Sequence, residues 1–335
     1  MDPGIPVPPP LYGGHERLVH LFAAEYARLG HQVSLLAGPD SSIDGKCYEF
    51  GINDLGRSKF QRTKELVQAW NFLNNRKNEF DLIHNFGRLL YLLPVLNHRV
   101  KKIMTYGRKV SARGIKIVNY LPNKNLCFTA ASSFCASTGN VAGRWETVYN
   151  SIDFSSYELK DQVEEAAPLM FLGRLDKVKG PHIAINVAKK TGQKLWIGGN
   201  IPTTPDNLKY FNEEVQPHID NEEIIYLGPL NDEQKNHYLG RSKALLFPTS
   251  GPEAFGLVLI EAMACGTPVI SFDGAAMPEV VDENLTGFLV QDENSMIEAL
   301  KNIPAISRSA CREQARKRFD VQVIAENYLR IADSL

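Results

Sequence analysis

The residues of this chain whose types and spacing could do chemistry are concentrated in two short stretches. In PTSGPEAFGLVLIEAMACGTPVI (residues 248–270), Glu253 and Glu261 are separated by seven residues. Glu261 interrupts an otherwise apolar face, LVLIEAMA, where an unpaired charge is expensive to bury. Glu253 stands just before a helical stretch read from Phe255 to Ala264, whose first N–H groups and dipole favour a ligand's negative charge. Taken singly, one is an end-of-helix charge and the other a salt-bridged core acid. Taken together around the turn AFGL, they suit a ligand that carries hydroxyls beside an anion, such as a sugar nucleotide.

The second stretch is GRLDKVKG (173–180). Its Arg174 and Lys179 straddle a short loop before a helix opened by Pro181. A diphosphate is served by this combination, Arg for bidentate contact and Lys as a mobile point charge. Two solvated surface cations are the plain alternative.

Both stretches must be positioned by the strands that precede them. PLMFLG leads into the cationic loop and KALLFP into the acidic one, and PVISF follows at once. KLWIGGN, EEIIYLG and TGFLV repeat the pattern, with helical segments between. Strands alternating with helices predict a parallel α/β sheet, whose ligands bind at the carboxyl ends of the strands. Gly198 and Gly199 end one strand at that edge.

The pattern E-AFGLVLI-E followed by AMACGTPVI closely resembles the retaining family 4 glycosyltransferases (glycosyl transferases group 1) of the GT-B fold. The resemblance implies two Rossmann-like domains facing across a cleft. It implies that Glu253 binds donor-sugar hydroxyls and Glu261 the ribose diol, with the backbone of Ala254, Phe255, Gly256 and Leu257 meeting sugar and diphosphate. G-R-x-x-x-x-K-G is a further feature of that family, which adds Gly173, Arg174 and Lys179 to the donor side, with Gly199. YNSID resembles the family's NGVD, with Ser151 replacing Gly.

Composition is compatible with this. The chain has 335 residues, enough for two domains, and 44% hydrophobic content. No apolar run reaches membrane-spanning length. MDPGIPVPPP is not read as a signal peptide. Five scattered cysteines without CxxC suit a reducing cytoplasm, with any membrane contact peripheral at the inner face. No Asp-x-Asp and no His/Cys cluster suggests a metal, and no cofactor is implied beyond a nucleoside-diphosphate sugar as donor, a UDP-sugar favoured over a GDP-sugar.

Charge is unevenly spread. Residues 1–150 hold 19 Lys/Arg against 11 Asp/Glu, and residues 151–335 hold 18 against 27. Between Leu82 and Trp145 no acidic residue occurs, while Arg88, Arg99, Lys101, Lys102, Arg108, Lys109, Arg113, Lys116, Lys124 and Arg144 accumulate. That field suits an anionic partner or membrane surface, or is simply solvated. Nucleic acid is disfavoured, because no aromatic-interleaved basic motif accompanies the charge.

The first ten residues contain five prolines and cannot form a central strand. In the family a strand precedes a loop like PPPLYGG; its lack here predicts either a truncated start or a first sheet with a strand fewer, and a hydrophobic slot exposed by the loss. Gly13 and Gly14 lead into a helix closed by Gly30. With the family in mind, Gly14 approaches the donor phosphate, and His15 and Glu16 stand on the acceptor side. His84 ends a strand at the ligand edge and is assigned a catalytic or acceptor role beside Arg108. Here the sequence departs from the family, which often has a second His where Phe86 stands and His-Asp where the strand KKIMTYGR ends in Tyr106, Gly107 and Arg108.

The domains are set at residues 1–155, 166–318 and a final helix at 319–335 packing back on the first. The expected activity is metal-independent transfer of a sugar, as a hexosyltransferase, from a nucleotide sugar to a hydroxyl acceptor with retention at the anomeric carbon. Glu253, Arg174, Lys179 and His84 are its catalytic candidates. The alternative is a catalytically impaired homologue that binds a sugar nucleotide or partner without transfer. A sugar-nucleotide epimerase of the same fold is disfavoured by the two-glutamate block and the cationic loop.

Overall fold

Short β-branched and aromatic runs bounded by Gly, Pro and Asn become strands, and longer amphipathic stretches become the helices between them. The computed structural model describes residues 1–10 and 13–335; Leu11 and Tyr12 of the PPPLYGG loop lie outside the described residues. The chain divides into two units, residues 1–151 with 321–335, and residues 152–320. The polar and charged tract SSYELKDQVEEAAP (155–168), whose composition suits a linker, falls within the second unit.

The first unit contains α1 (Gly14–Arg28), β1 (Ser34–Ala37), β2 (Lys46–Glu49), α2 (Lys59–Arg76), β3 (Leu82–Asn85), β4 (Lys101–Tyr106), α3 (Ala112–Tyr120), β5 (Leu126–Ala130), α4 (Ser133–Ser137) and β6 (Trp145–Thr147). A 3-10 turn, Leu89–Val95, follows β3. Its strands form two sheets, a parallel pair β1-β2 and a parallel four-stranded sheet β3-β4-β5-β6.

The exposed slot predicted from the lacking first strand is corrected by the structure, because the chain's own first residues cover it. The Met1 backbone nitrogen donates to Leu36 O of β1 at 2.7 Å. Asp2 accepts from the Tyr91 hydroxyl at 2.7 Å and pairs with Arg88 at 3.2 Å, just beyond β3. Val7 is fully buried against Val19, Leu35 and Ala37. Arg57 donates to the Pro3 carbonyl and pairs with Glu65 at 2.8 Å, and both of these charged side chains are buried. A buried carboxylate is tolerated only with such partners.

The second unit contains β7 (Leu169–Leu172), α5 (Pro181–Thr191), β8 (Leu195–Gly198), α6 (Pro205–Glu214), β9 (Ile224–Gly228), α7 (Asp232–Arg241), β10 (Leu245–Phe247), α8 (Leu257–Ala264), β11 (Val269–Phe272), α9 (Met277–Val280), β12 (Gly287–Val290), α10 (Glu293–Leu300) and α11 (Arg308–Phe319). Its six strands are all parallel, in the order β12-β11-β10-β7-β8-β9. All four residues of β7 are buried, as a central strand covered on both faces requires. The order reverses between β7 and β10, so the loops that leave these neighbours turn to opposite sides and open a crevice.

Helix α8 starts at Leu257 and not at Phe255 as its composition suggested. Gly256 takes φ 85°, a left-handed conformation that ends the preceding loop and caps the helix. The last helix, α12 (Val321–Asp333), belongs to the first unit, where buried Tyr328 meets Phe22 of α1 edge-on at 5.2 Å.

Candidate functional site

The loops after β7 and β10 carry the donor-side residues named from sequence, and they are laced together. Ser250 N donates to Val178 O at 2.9 Å. A Cβ at Gly180 would lie 2.5 Å from Pro248 O, so only glycine permits this approach, and its φ is 74°. Lys179 Nζ forms an ion pair with Glu253 Oε2 across the two loops, and both side chains are half-buried. Lys179 also lies 5.4 Å from the centre of the Phe247 ring at the end of β10.

Asp176 knots the cationic loop from within. Its Oδ1 accepts from Lys179 N at 3.1 Å, and its Oδ2 pairs with Arg174 Nε at 3.0 Å. Arg174 is 59% exposed and reaches solvent, whereas Asp176 is buried. The one signal for Asp176 in the sequence is an acid standing between cations in GRLDKVKG.

Gly173 and Gly199 form the floor beside this loop. A Cβ at Gly199, whose φ is 144°, would fall 1.7 Å from Gly173 O. The Gly199 nitrogen donates to Gly228 O at 2.9 Å, and its carbonyl accepts from Tyr226 at 2.8 Å. Across the crevice, α8 begins without a side-chain cap, which leaves its first turn suited to an anion. Phe255 is buried edge-on against Phe319 at 5.5 Å, which anchors the turn before α8. Ala254 and Leu257 flank it, half-buried.

Glu261, one turn along α8, is paired with Lys235 of α7 at 2.6 Å. Lys235 was not singled out from sequence, and neither was Tyr157, whose hydroxyl stands beside the same carboxylate. Burial first, then the Glu261 and Asp232 charges, push the Tyr157 proton well above the usual phenol range. Burial works against the Lys235 ammonium, but Glu261 and Asp232 outweigh it and hold its proton above the ordinary lysine range.

In the first unit, the residues assigned to the acceptor separate into two groups. His15, beside Gly14 at the start of α1, sets its Nε2 3.2 Å from Phe86 O. Its ring covers Gly107, where a Cβ would lie 2.9 Å away, and exposed Arg108 is close enough to act on it electrostatically. Burial lowers the His15 pKa and raises that of Glu16, whose charge also feels Arg108.

His84 has a different employment. Its Nδ1 is 3.1 Å from the Tyr26 hydroxyl and its Nε2 2.8 Å from Thr105 Oγ1, which in turn meets Thr129 at 2.7 Å. Phe86 and Tyr328 pack on its ring at 4.1 and 4.4 Å. Burial pushes its pKa down to about 3. A neutral imidazole bonded at both nitrogens is a packing element between β3, α1 and α12, which removes the free acid–base group that its catalytic assignment required.

The basic field is likewise thinner than the sequence suggested. Lys102 is buried and donates to the Val95 and His98 carbonyls at 3.1 and 2.8 Å, and burial lowers its pKa to about 8. Arg88 is shared between Glu65 and Asp2. Arg99, Arg108, Lys109, Arg113, Lys116 and Lys124 remain exposed.

A six-stranded doubly wound sheet with cations and paired acids at its reversal point, in a chain of two α/β units, is the architecture of the GT-B glycosyltransferases. Residues 159–318 match the family model described as glycosyl transferases group 1, and this stretch belongs to that family. An "uncharacterized 41.2 kDa protein in cps region" of Klebsiella pneumoniae is 26% identical over 300 residues, covering 77% of this chain and 80% of that protein. A D-inositol 3-phosphate glycosyltransferase of a Mycobacterium species (strain JLS) is 28% identical over 192 residues, 51% of this chain but only 43% of that protein. Among solved structures, Anabaena Alr3699/HepE in complex with UDP-glucose superposes with a TM-score of 0.72 at 18% identity, covering 97% of each chain. No helix among the described residues is long and apolar enough to cross a membrane.

Proposed function

We propose that this glycosyltransferase takes its sugar from a nucleoside-diphosphate sugar, a UDP-sugar before a GDP-sugar, and passes it to a hydroxyl acceptor with retention and without a bound metal. The observation that carries the reading is the Lys179–Glu253 pair joining the two loops of the reversal point. A diphosphate arriving there offers Lys179 a stronger anionic partner, and the exchange frees Glu253 to accept hydrogen bonds from sugar hydroxyls. Arg174 and the first turn of α8 complete the anion site around the leaving diphosphate. As the anomeric C–O bond breaks, these charges stabilise the oxygen that departs. The acceptor hydroxyl bonds to the same face, and its proton goes to the departing phosphate oxygen.

The HepE complex with UDP-glucose supports a nucleotide-sugar donor by likeness of fold. Thermal shift with UDP-, GDP- and ADP-sugars tests the reading, since a ligand of the folded state raises its melting temperature. Stabilisation by one of them, followed by its hydrolysis or transfer with the same anomeric configuration in the product, is the expected result. No stabilisation by any of the three overturns it.

Two observations favour a second reading, binding without transfer. The first unit's sheet is interrupted, and His84 is consumed in packing. Tight donor binding with neither hydrolysis nor transfer to any acceptor would select it.

The same unit offers a surface for an anionic membrane. Helix α3 and its end expose Ile117, Tyr120 and Leu121 among Arg113, Lys116 and Lys124. Apolar side chains ringed by cations suit the headgroup region of anionic lipid. Anionic vesicles should sediment the chain and neutral ones should leave it in solution; equal behaviour in both would remove the membrane reading.

A further inference from the structure

The acid in the middle of the cationic loop is out of place on charge alone. A site for an anion is weakened by a carboxylate beside it, since like charges repel. Yet Asp176 stands in the loop between β7 and α5 and is only 5% exposed. A buried carboxylate is costly unless hydrogen bonds and an opposite charge hold it.

The partners of Asp176 are specific. Its Oδ2 lies 3.0 Å from Arg174 Nε and its Oδ1 accepts from Lys179 N at 3.1 Å, so one carboxylate spans the two ends of the cationic loop. The backbone beneath is fixed as well. Leu175 is fully buried and its N–H donates to Asn200 O at 3.1 Å, while Gly180 N donates to Lys177 O at 3.2 Å. Arg174, by contrast, is 59% exposed, and Asp176 is the one partner of its guanidinium among the described residues. The contact takes Nε and leaves the edge made by the two terminal nitrogens open, the edge that can meet phosphate oxygens in pairs.

We infer that Asp176 is a positioning residue: anchored to the loop's own backbone, it holds Arg174 by Nε and presents the terminal nitrogens as a preset fork to a diphosphate. This rests on the nucleotide-sugar reading above. Asp176 does not touch the donor. Its charge repels the phosphates, and the gain from an arginine ordered in advance outweighs that repulsion. An arginine left free would have to be ordered by the ligand, which weakens binding. Repulsion and positioning have opposite signs, so a single substitution tells them apart.

The experiment is calorimetric titration of the full chain with UDP and UMP, and with GDP and GMP, for the wild type, Asp176→Asn, Arg174→Ala and the double variant, with a thermal melt of each. Asparagine keeps an oxygen for Lys179 N and removes the charge that holds Arg174. Asp176→Asn should weaken the diphosphate about tenfold, the size of one lost hydrogen bond to a charged group, and the monophosphate much less. In the Arg174→Ala background the same change should have no effect or tighten the diphosphate slightly, because only the repulsion is left to remove. Diphosphate binding by Asp176→Asn that equals or exceeds the wild type overturns the inference. So does an equal loss for both nucleotides, or the same loss with and without Arg174, which would make Asp176 a fold element alone. Should Asp176→Asn fold poorly, Arg174→Lys decides: a lysine has no Nε edge to be held and should lose the preference for the diphosphate nearly as far as Arg174→Ala, and full retention overturns the inference. All these failures leave the donor reading intact, whereas a wild type that binds no nucleoside diphosphate overturns both.

Discussion

The two units of this molecule treat the same edge of their sheets in opposite ways. In the second unit β7 is present at the centre, and its carboxyl end delivers Gly173, Arg174 and Lys179 to the reversal point. In the first unit no strand among the described residues joins β1 to β3, and there Met1 and Asp2 are tied down by polar contacts and Val7 by apolar burial. Both edges are rich in ion pairs, yet the pairs differ in kind. Arg57 and Glu65 are 6% and 2% exposed, whereas Lys179 and Glu253 are 18% and 23% exposed. Breaking a fully buried pair leaves a stranded charge and costs about 3–5 kcal/mol, so such a pair is architecture. A half-buried pair that solvent still reaches costs less to part and can trade partners with a ligand. Exchangeability, more than the presence of charge, separates the edge that binds from the edge that holds.

The sharpest way to break this contrast is Lys179→Ala. Transfer should fall about 100- to 1,000-fold, as when one preorganised donor to a developing anion is lost. The melting temperature should barely move, because the pair it removes is partly solvated. A large loss of stability with little loss of rate would place Lys179 among the architectural charges, and steady-state kinetics beside a thermal melt decides it.

Acid titration probes the other edge. His84 has a folded-state pKa of about 3, below its ordinary 6.5, so between those values the unfolded chain binds the extra proton. Stability from this group is therefore complete above pH 6.5 and is lost as pH falls toward 3, at up to about 1.4 kcal/mol per pH unit. Urea unfolding at pH 7 and pH 5 should show the first unit weakening, and His84→Asn should flatten that slope. A slope untouched by the substitution would mean that His84 is not held neutral.

The smallest expected effect on stability comes from Arg113→Glu with Lys116→Glu on α3, within about 0.5 kcal/mol for exposed sites. Sedimentation with anionic vesicles should nevertheless be lost. Retained sedimentation would show that these charges are solvated without a partner.

What could be read from the residues follows from how locally each feature is determined. The strands of the second unit and the loop Gly173–Gly180 are written in contiguous runs and in one glycine, Gly180, whose backbone position admits nothing else. The start of α8 was misplaced by two residues, because composition does not reveal that Gly256 adopts a left-handed conformation. His84 was misread for a longer-range reason: its partners Tyr26, Thr105 and Tyr328 come from three separate elements. Lys102 looks like any other surface cation until the turn Leu89–Val95 offers it carbonyls. Lys235 was invisible because its meaning depends on how α7 docks beside α8.

One consequence of the chain's path concerns its synthesis. The first unit is begun by residues 1–151 but completed by 321–335, after the whole of the second has been made. Until Tyr328 leaves the ribosome, the aromatic face made by Phe22, His84 and Phe86 has no cover. The half that is translated first is therefore the half that matures last, and it waits with greasy rings uncovered, which is where a chaperone would find its hold on the nascent polypeptide.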